Sequence, residues 1–190
     1  MGQGVNIGEC ISFGVEQLKR NLVFHVVAVL LINVIGSMTC YILTGPMMLG
    51  YFSILLRTQA GEAGAEDFSK LFEGFQRIAP AIVAGILSML LITAGSFLCV
   101  IPGLLVAPVL PLSILFVAQG ENDGVQAIKK AFECLKANLV MGAVTMFVLC
   151  LVGMLGALAC FVGVLFTAPI ATAGMFKLAQ QMSAAPQAQA

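Results

Sequence analysis

The sequence predicts an all-α integral membrane protein of six apolar helices, arranged as three parallel helical-hairpin repeats with a period of about 58–60 residues, each preceded by a cytoplasmic amphipathic helix. Three observations predict it. Of 190 residues, 60% are hydrophobic and only 9% charged, whereas a soluble domain carries roughly 25% Asp, Glu, Lys and Arg. Mean hydropathy is +1.04. The apolar residues fall in three long blocks, and landmark residues recur at one spacing from block to block. So few charges cannot cover a water-facing globule, and a disordered chain needs the opposite bias. Nine basic against nine acidic residues also remove the basic surplus that nucleic-acid binding requires.

Taken in order, Met1–Lys19 has no apolar core followed by a small-residue cleavage site, so no cleavable signal peptide is expected. It carries instead a loose amphipathic pattern of Ile7, Ile11, Val15 and Leu18. The first block, Asn21–Leu43, is long enough to cross ~30 Å of hydrocarbon as a helix. After Thr44-Gly45-Pro46 comes a shorter run ending at Arg57. As a helix, Pro46–Leu56 would reach only about 16 Å. Phe68, Leu71, Phe72 and Phe75 then stand at i, i+3, i+4, i+7, an apolar stripe that faces lipid or caps the membrane core. The second block runs from Ala79 to Val100, breaks at Ile101-Pro102-Gly103 and resumes over Leu104–Ala118, with Pro108 and Pro111 kinking it. A third amphipathic helix carries Val125, Ile128, Phe132 and Leu135 on one face and Lys129, Lys130 and Lys136 on others. The third block, Leu139–Ala159, turns near Cys160–Gly163 and continues to Phe176. Gly45, Pro46, Pro102, Gly103, Gly163 and Pro169 are the expected hairpin breaks.

The repeat rests on three series. Gly36, Gly95 and Gly153 lie 59 and 58 residues apart; Gly45, Gly103 and Gly163 lie 58 and 60 apart; Lys19, Arg77 and Lys136 lie 58 and 59 apart. A single membrane domain over residues 1–182 follows, with units at 6–60, 65–120 and 124–180 and a disordered tail at 183–190. All 18 charged residues lie between or outside the hairpins and none at their tips. Lys and Arg accumulate on the cytoplasmic side, so both termini and the amphipathic helices are expected there. Units that enter and leave on the same side are parallel and can share an axis along the membrane normal. The apolar tips either emerge on the far side or stay within the bilayer as re-entrant wedges.

Chemistry is sparse. The six cysteines include no CxxC pair and His25 is the only histidine, so no convergent metal set, and no cofactor, is expected. His25 lies little more than a turn beyond Arg20, where an interfacial imidazole reaches water. Asn33, the one amide deep in an apolar helix, is expected to hydrogen-bond a neighbouring helix, a contact worth ~1 kcal/mol. Ser88, Thr93 and Thr145 are expected to bond the preceding turn. No nucleotide-binding, hydrolase or metalloprotease motif occurs. An enzyme is not expected.

Several short motifs recur in a familiar order: Gly45-Pro46-x3-Gly50, Asp67-Phe68-x2-Leu71-Phe72-x-Gly74-Phe75, Ile101-Pro102-Gly103, Ala127-Ile128-Lys129-Lys130-Ala131, and Gly163 with Pro169. The series resembles the six-helix membrane domain attached to some bacterial glycerophosphodiester phosphodiesterases, and its stand-alone relatives. The resemblance covers nearly the whole chain. It implies a fold and a bacterial cytoplasmic membrane location, but the catalytic barrel has no counterpart in these residues, so no catalytic residue carries over.

The function expected is therefore non-enzymatic: a multi-pass membrane protein that organises lipid, membrane shape or other membrane proteins. Its partners would be membrane lipids, and a second copy or another membrane protein. A small transporter or channel along the repeat axis is the alternative, against which stand the missing intramembrane charges and polar ring. A membrane anchor or regulatory subunit of a partner enzyme is the third reading. Transport predicts a water-lined cavity at the axis; a lipid role predicts an apolar one.

Overall fold

A computed structural model describes residues 5–62, 67–98, 100–158 and 160–184. Among these the regular structure is helical throughout: α1 (Ile7–Arg20), α2 (Leu22–Met38), α3 (Thr44–Gln59), α4 (Phe68–Leu71) with a 3-10 segment (Phe72–Arg77), α5 (Ile78–Leu98), α6 (Val100–Val106), α7 (Val109–Ala118), α8 (Gly124–Ala137), α9 (Leu139–Leu158) and α10 (Cys160–Ala184).

Short polar side chains start the charged elements. Asn6 accepts from the Glu9 amide, Asp67 from Ser69 and Asp123 from Val125, each satisfying an N–H that the first turn leaves open. Asn21 separates α1 from α2, and its side chain accepts from the Phe24 amide at 3.2 Å. The two helices meet there at a bend of 111°. Asn138 occupies the matching joint between α8 and α9.

The second helix of each hairpin lies inside. α7 packs against both α3 and α10, and Phe52 of α3 meets Phe176 of α10 edge to face at 5.1 Å. Tyr51, Ile54, Leu55, Leu112, Ile114 and Leu115 are fully buried around them. The first helices lie outside. α2 packs on α3 and α10, α5 on α3 and α7, and α9 on α10 and α6. The charged elements form a collar at one end: α1 lies on α10, the 3-10 segment on α3 and α8 on α7. Glycine sets the closest approaches. A β-carbon on Gly50 would collide with the Leu71 carbonyl, and one on Gly74 with the Pro46 carbonyl, so α3 and the 3-10 segment touch backbone to backbone.

The structure departs from the sequence reading at the breaks. Gly45 and Pro46 lie in the first turn of α3, and the chain reverses before them, at Cys40 and Tyr41, which take left-handed φ of 49° and 64°. Pro102 and Gly103 likewise lie in the first turn of α6. Pro111 is the third residue of α7, and Pro108 is its N-cap. A proline this near a helix start gives up an N–H that has no intrahelical partner, so it opens a helix and need not break one. Gly163 and Pro169 fall inside α10, which begins at Cys160; residue 159, between α9 and α10, lies outside the described residues.

Six membrane-crossing segments are not what the helices provide. By length and apolarity two of the described helices qualify, Phe68–Phe97 and Leu139–Gly156, and a third counts only if α1 and α2 are taken together across their bend. α2 stops at 17 residues, α6 and α7 divide at Ala107-Pro108, and the last turns of α10 carry Lys177, Gln180 and Gln181. The expected amphipathic helix over Phe68–Phe75 is one α turn followed by the tighter 3-10 winding that seats Gly74 on α3. α10 also runs through Ser183 and Ala184; the rest of the expected tail lies outside the described residues.

Candidate functional surface: an apolar belt below a charged collar

Outward faces of α2, α5 and α9 are apolar and uncovered. Only 22% of the most apolar stretch of Phe68–Phe97 and 33% of that of Leu139–Gly156 is buried. Val23, Leu30, Val83, Leu90, Val140 and Phe147 all stand exposed. Burying one such side chain is worth about 1.5–3 kcal/mol, and exposed large apolar side chains recur along three helices, where a water-soluble monomer rarely shows a contiguous apolar patch of more than a few hundred Å2.

The collar is polar outside and apolar inside. Ile128 and Leu135 of α8 and Leu71 of α4 are buried against the bundle, so these predicted stripe residues cap the core. Phe75 and Phe132 are half-buried, and Phe68 and Phe72 remain exposed. α1 is tied to the end of α10: the Asn6 amide donates to Gln181 Oε1 at 3.0 Å, Gln181 Nε2 donates to Glu9 at 2.7 Å, and Lys177 sits 5.8 Å over the Phe13 ring. Gln59 and Gln180 pair through both amides. Burial pushes the Cys10 thiol up to about 11, with Lys177 pulling the other way. The Ser69 amide and hydroxyl hold the Asp67 carboxyl below its ordinary value, and Lys130, which forms an ion pair with Glu121, does the same for that carboxyl.

Two predicted polar residues sit differently from the sequence reading. His25 does not reach water: it is 1% exposed, its Nδ1 lies 2.9 Å from the Tyr51 hydroxyl, and Phe24 and Tyr51 present ring edges to it. Leu22 and Val23 of the same turn are exposed, whereas Phe24 packs on Phe68 of α4 and His25 on Tyr51 of α3, so one face of the first turn of α2 is covered. Asn33 does not bridge helices. Its Nδ2 donates to the Val29 carbonyl of its own preceding turn at 2.8 Å, and the side chain is exposed. It lines an apolar cleft of about 180 Å3 with Val29, Leu30, Leu165, Ala168 and Pro169; Pro169 lacks the N–H that would engage the Leu165 carbonyl beside it. Thr145 bonds the Met141 carbonyl as expected, whereas Ser88 meets Ser113 of α7 at 3.1 Å. Tyr51 and Ser113 escaped the sequence reading because each meets its partner, His25 or Ser88, across a helix pair 25 or 26 residues apart, and the glutamines of α10 because theirs, Asn6, Glu9 and Gln59, lie more than 120 residues away. Among the described residues no three metal-ligating side chains converge.

No family model matches the chain, and no solved structure matches it significantly. It is similar to an uncharacterised protein of Mycobacterium bovis and to two of Mycobacterium tuberculosis, at 27%, 27% and 26% identity over 136 residues. Each match covers 66% of this chain and 42% of the relative, so the chain spans less than half the length of those proteins.

Proposed function

We propose that this chain is a non-enzymatic multi-pass protein of a bacterial cytoplasmic membrane that organises the surrounding lipid. The exposed apolar belt carries this reading: in water it would be a large standing cost, and in hydrocarbon it costs nothing. Charge confined to the collar supports an orientation with the collar and both termini cytoplasmic. The order of contacts supports three parallel units. Each collar element rests on the inner helix of the preceding unit, and each outer helix bridges its own hairpin and the preceding one, with α1 and α2 closing onto α10. Kinship with the membrane domain of glycerophosphodiester phosphodiesterases belongs to the same proposal and rests on the short motifs alone.

A lipid role is favoured over a pore because Phe52 and Phe176 fill the place where the inner helices meet. Charged elements gathered at one end would spread in one leaflet only and load it asymmetrically, which favours a lipid-organising or curvature role. Reconstitution into unilamellar vesicles tests this. Wild-type protein is expected to change vesicle shape or lipid packing, and Phe72→Ser with Phe132→Ser to weaken that effect while the hairpins stay inserted. Solute flux through wild-type protein that Asn33→Leu blocks would contradict it and favour transport.

A further inference from the structure

On the collar side, a polar cleft of about 260 Å3 opens between α3, the 3-10 segment and the end of α7. Its polar walls are Ser53, Arg57, Glu73, Gln76 and Arg77, and Val117 and Ala118 close it on one side. Arg57 pairs with Glu73 at 2.8 Å. Arg77 donates through Nη1 to the Val117 carbonyl at 3.1 Å, capping the C-terminal turn of α7. Two guanidiniums against one carboxylate leave the cleft with a net positive charge. Each guanidinium has five N–H donors in a planar fork that suits phosphate oxygens, and these contacts engage only part of each fork. The volume is below the about 300–1,000 Å3 of a drug-sized site, so it suits a small polar group. Phe72, which opens the 3-10 segment, and Ile78, which follows it, are exposed, so the chain that supplies Glu73, Gln76 and Arg77 also carries exposed apolar side chains.

We propose that this cleft binds a phosphate ester, with Arg57 and Arg77 holding its oxygens and Gln76 and Ser53 supplying further hydrogen bonds. The inference deepens the lipid-organising reading and rests on it only for the source of the phosphate, a lipid headgroup or a soluble phosphate.

Binding is measured by calorimetry on purified full-length protein in a neutral detergent, apart from any effect on vesicles. The titrants are dihexanoyl phosphatidylglycerol, sn-glycerol 3-phosphate and inorganic phosphate. Arg57→Gln and Glu73→Gln both break the same ion pair, so any structural consequence is shared, but they change the charge of the cleft in opposite directions. Arg57→Gln is expected to weaken binding about tenfold or more, and Glu73→Gln to tighten it. Tighter binding of the lipid than of glycerol 3-phosphate supports the site and assigns it to a headgroup. Equal binding of the two supports the site and assigns it to a soluble phosphate, leaving the vesicle result to stand or fall separately. No binding of any titrant, or a shift in the same direction for both variants, would overturn the proposal.

Discussion

Gly74 meets the Pro46 carbonyl with no room for a methyl group, whereas a β-carbon on Gly153 would lie 3.9 Å from Ala171 Cβ, an ordinary contact. Sequence spacing singled out Gly153, yet the close approach in the third hairpin is made by Gly156 against Gly163; periodicity locates a landmark to within a turn and no better. Gly74→Ala is expected to lower stability by about 1–3 kcal/mol through overpacking, and Gly153→Ala to be neutral or stabilising by up to ~1 kcal/mol. Thermal unfolding of both variants in detergent checks this. Cys10 makes a pH prediction. Its folded value of about 11 exceeds the ordinary 9.0, so the unfolded chain loses the thiol proton first. The contribution is complete below pH 9 and lost as pH rises through about 11. Unfolding temperature measured from pH 8 to 11 should fall less steeply in Cys10→Ala than in the wild type.

Helix starts were better marked in the sequence than hairpin turns. Asn6, Asp67 and Asp123 cap the elements they precede, a local bond that needs no tertiary knowledge. Pro46, Pro102 and Pro111 are harder to read, since the same residue opens a helix or breaks one depending on where the first turn falls. The collar shows what an amphipathic stripe leaves undecided. Ile128 is 5% exposed and Phe72 is 47% exposed, although both belong to such stripes. Ile128→Ser should therefore cost about 2–5 kcal/mol of stability in detergent. Phe72→Ser should change it by no more than about 0.5 kcal/mol, its effect being confined to the bilayer. Comparable losses in the two variants would place Phe72 in the core and contradict the assignment.

At the scale of the molecule the helical, apolar character was legible in the sequence, and the division into inner and outer helices was not. α3, α7 and the second half of α10 are largely buried while α2, α5 and α9 are largely bare, yet none of the six carries a continuous polar stripe along its apolar run, and a helix without one carries no mark of which side is packed. The functional surface is obscure for the same reason: the belt is defined by what protein fails to cover. Its meaning rests on one claim, that hydrocarbon covers it. Single cysteines at Leu90 and Val144 on the belt and at Gln126 on the collar, in a cysteine-free background, test this claim most directly. In intact cells none should react with an impermeant aqueous reagent. After permeabilisation Gln126 should react quickly, while Leu90 and Val144 stay protected from that reagent and are modified by a lipid-soluble one. Rapid aqueous labelling of Leu90 and Val144 in the permeabilised membranes would contradict the account.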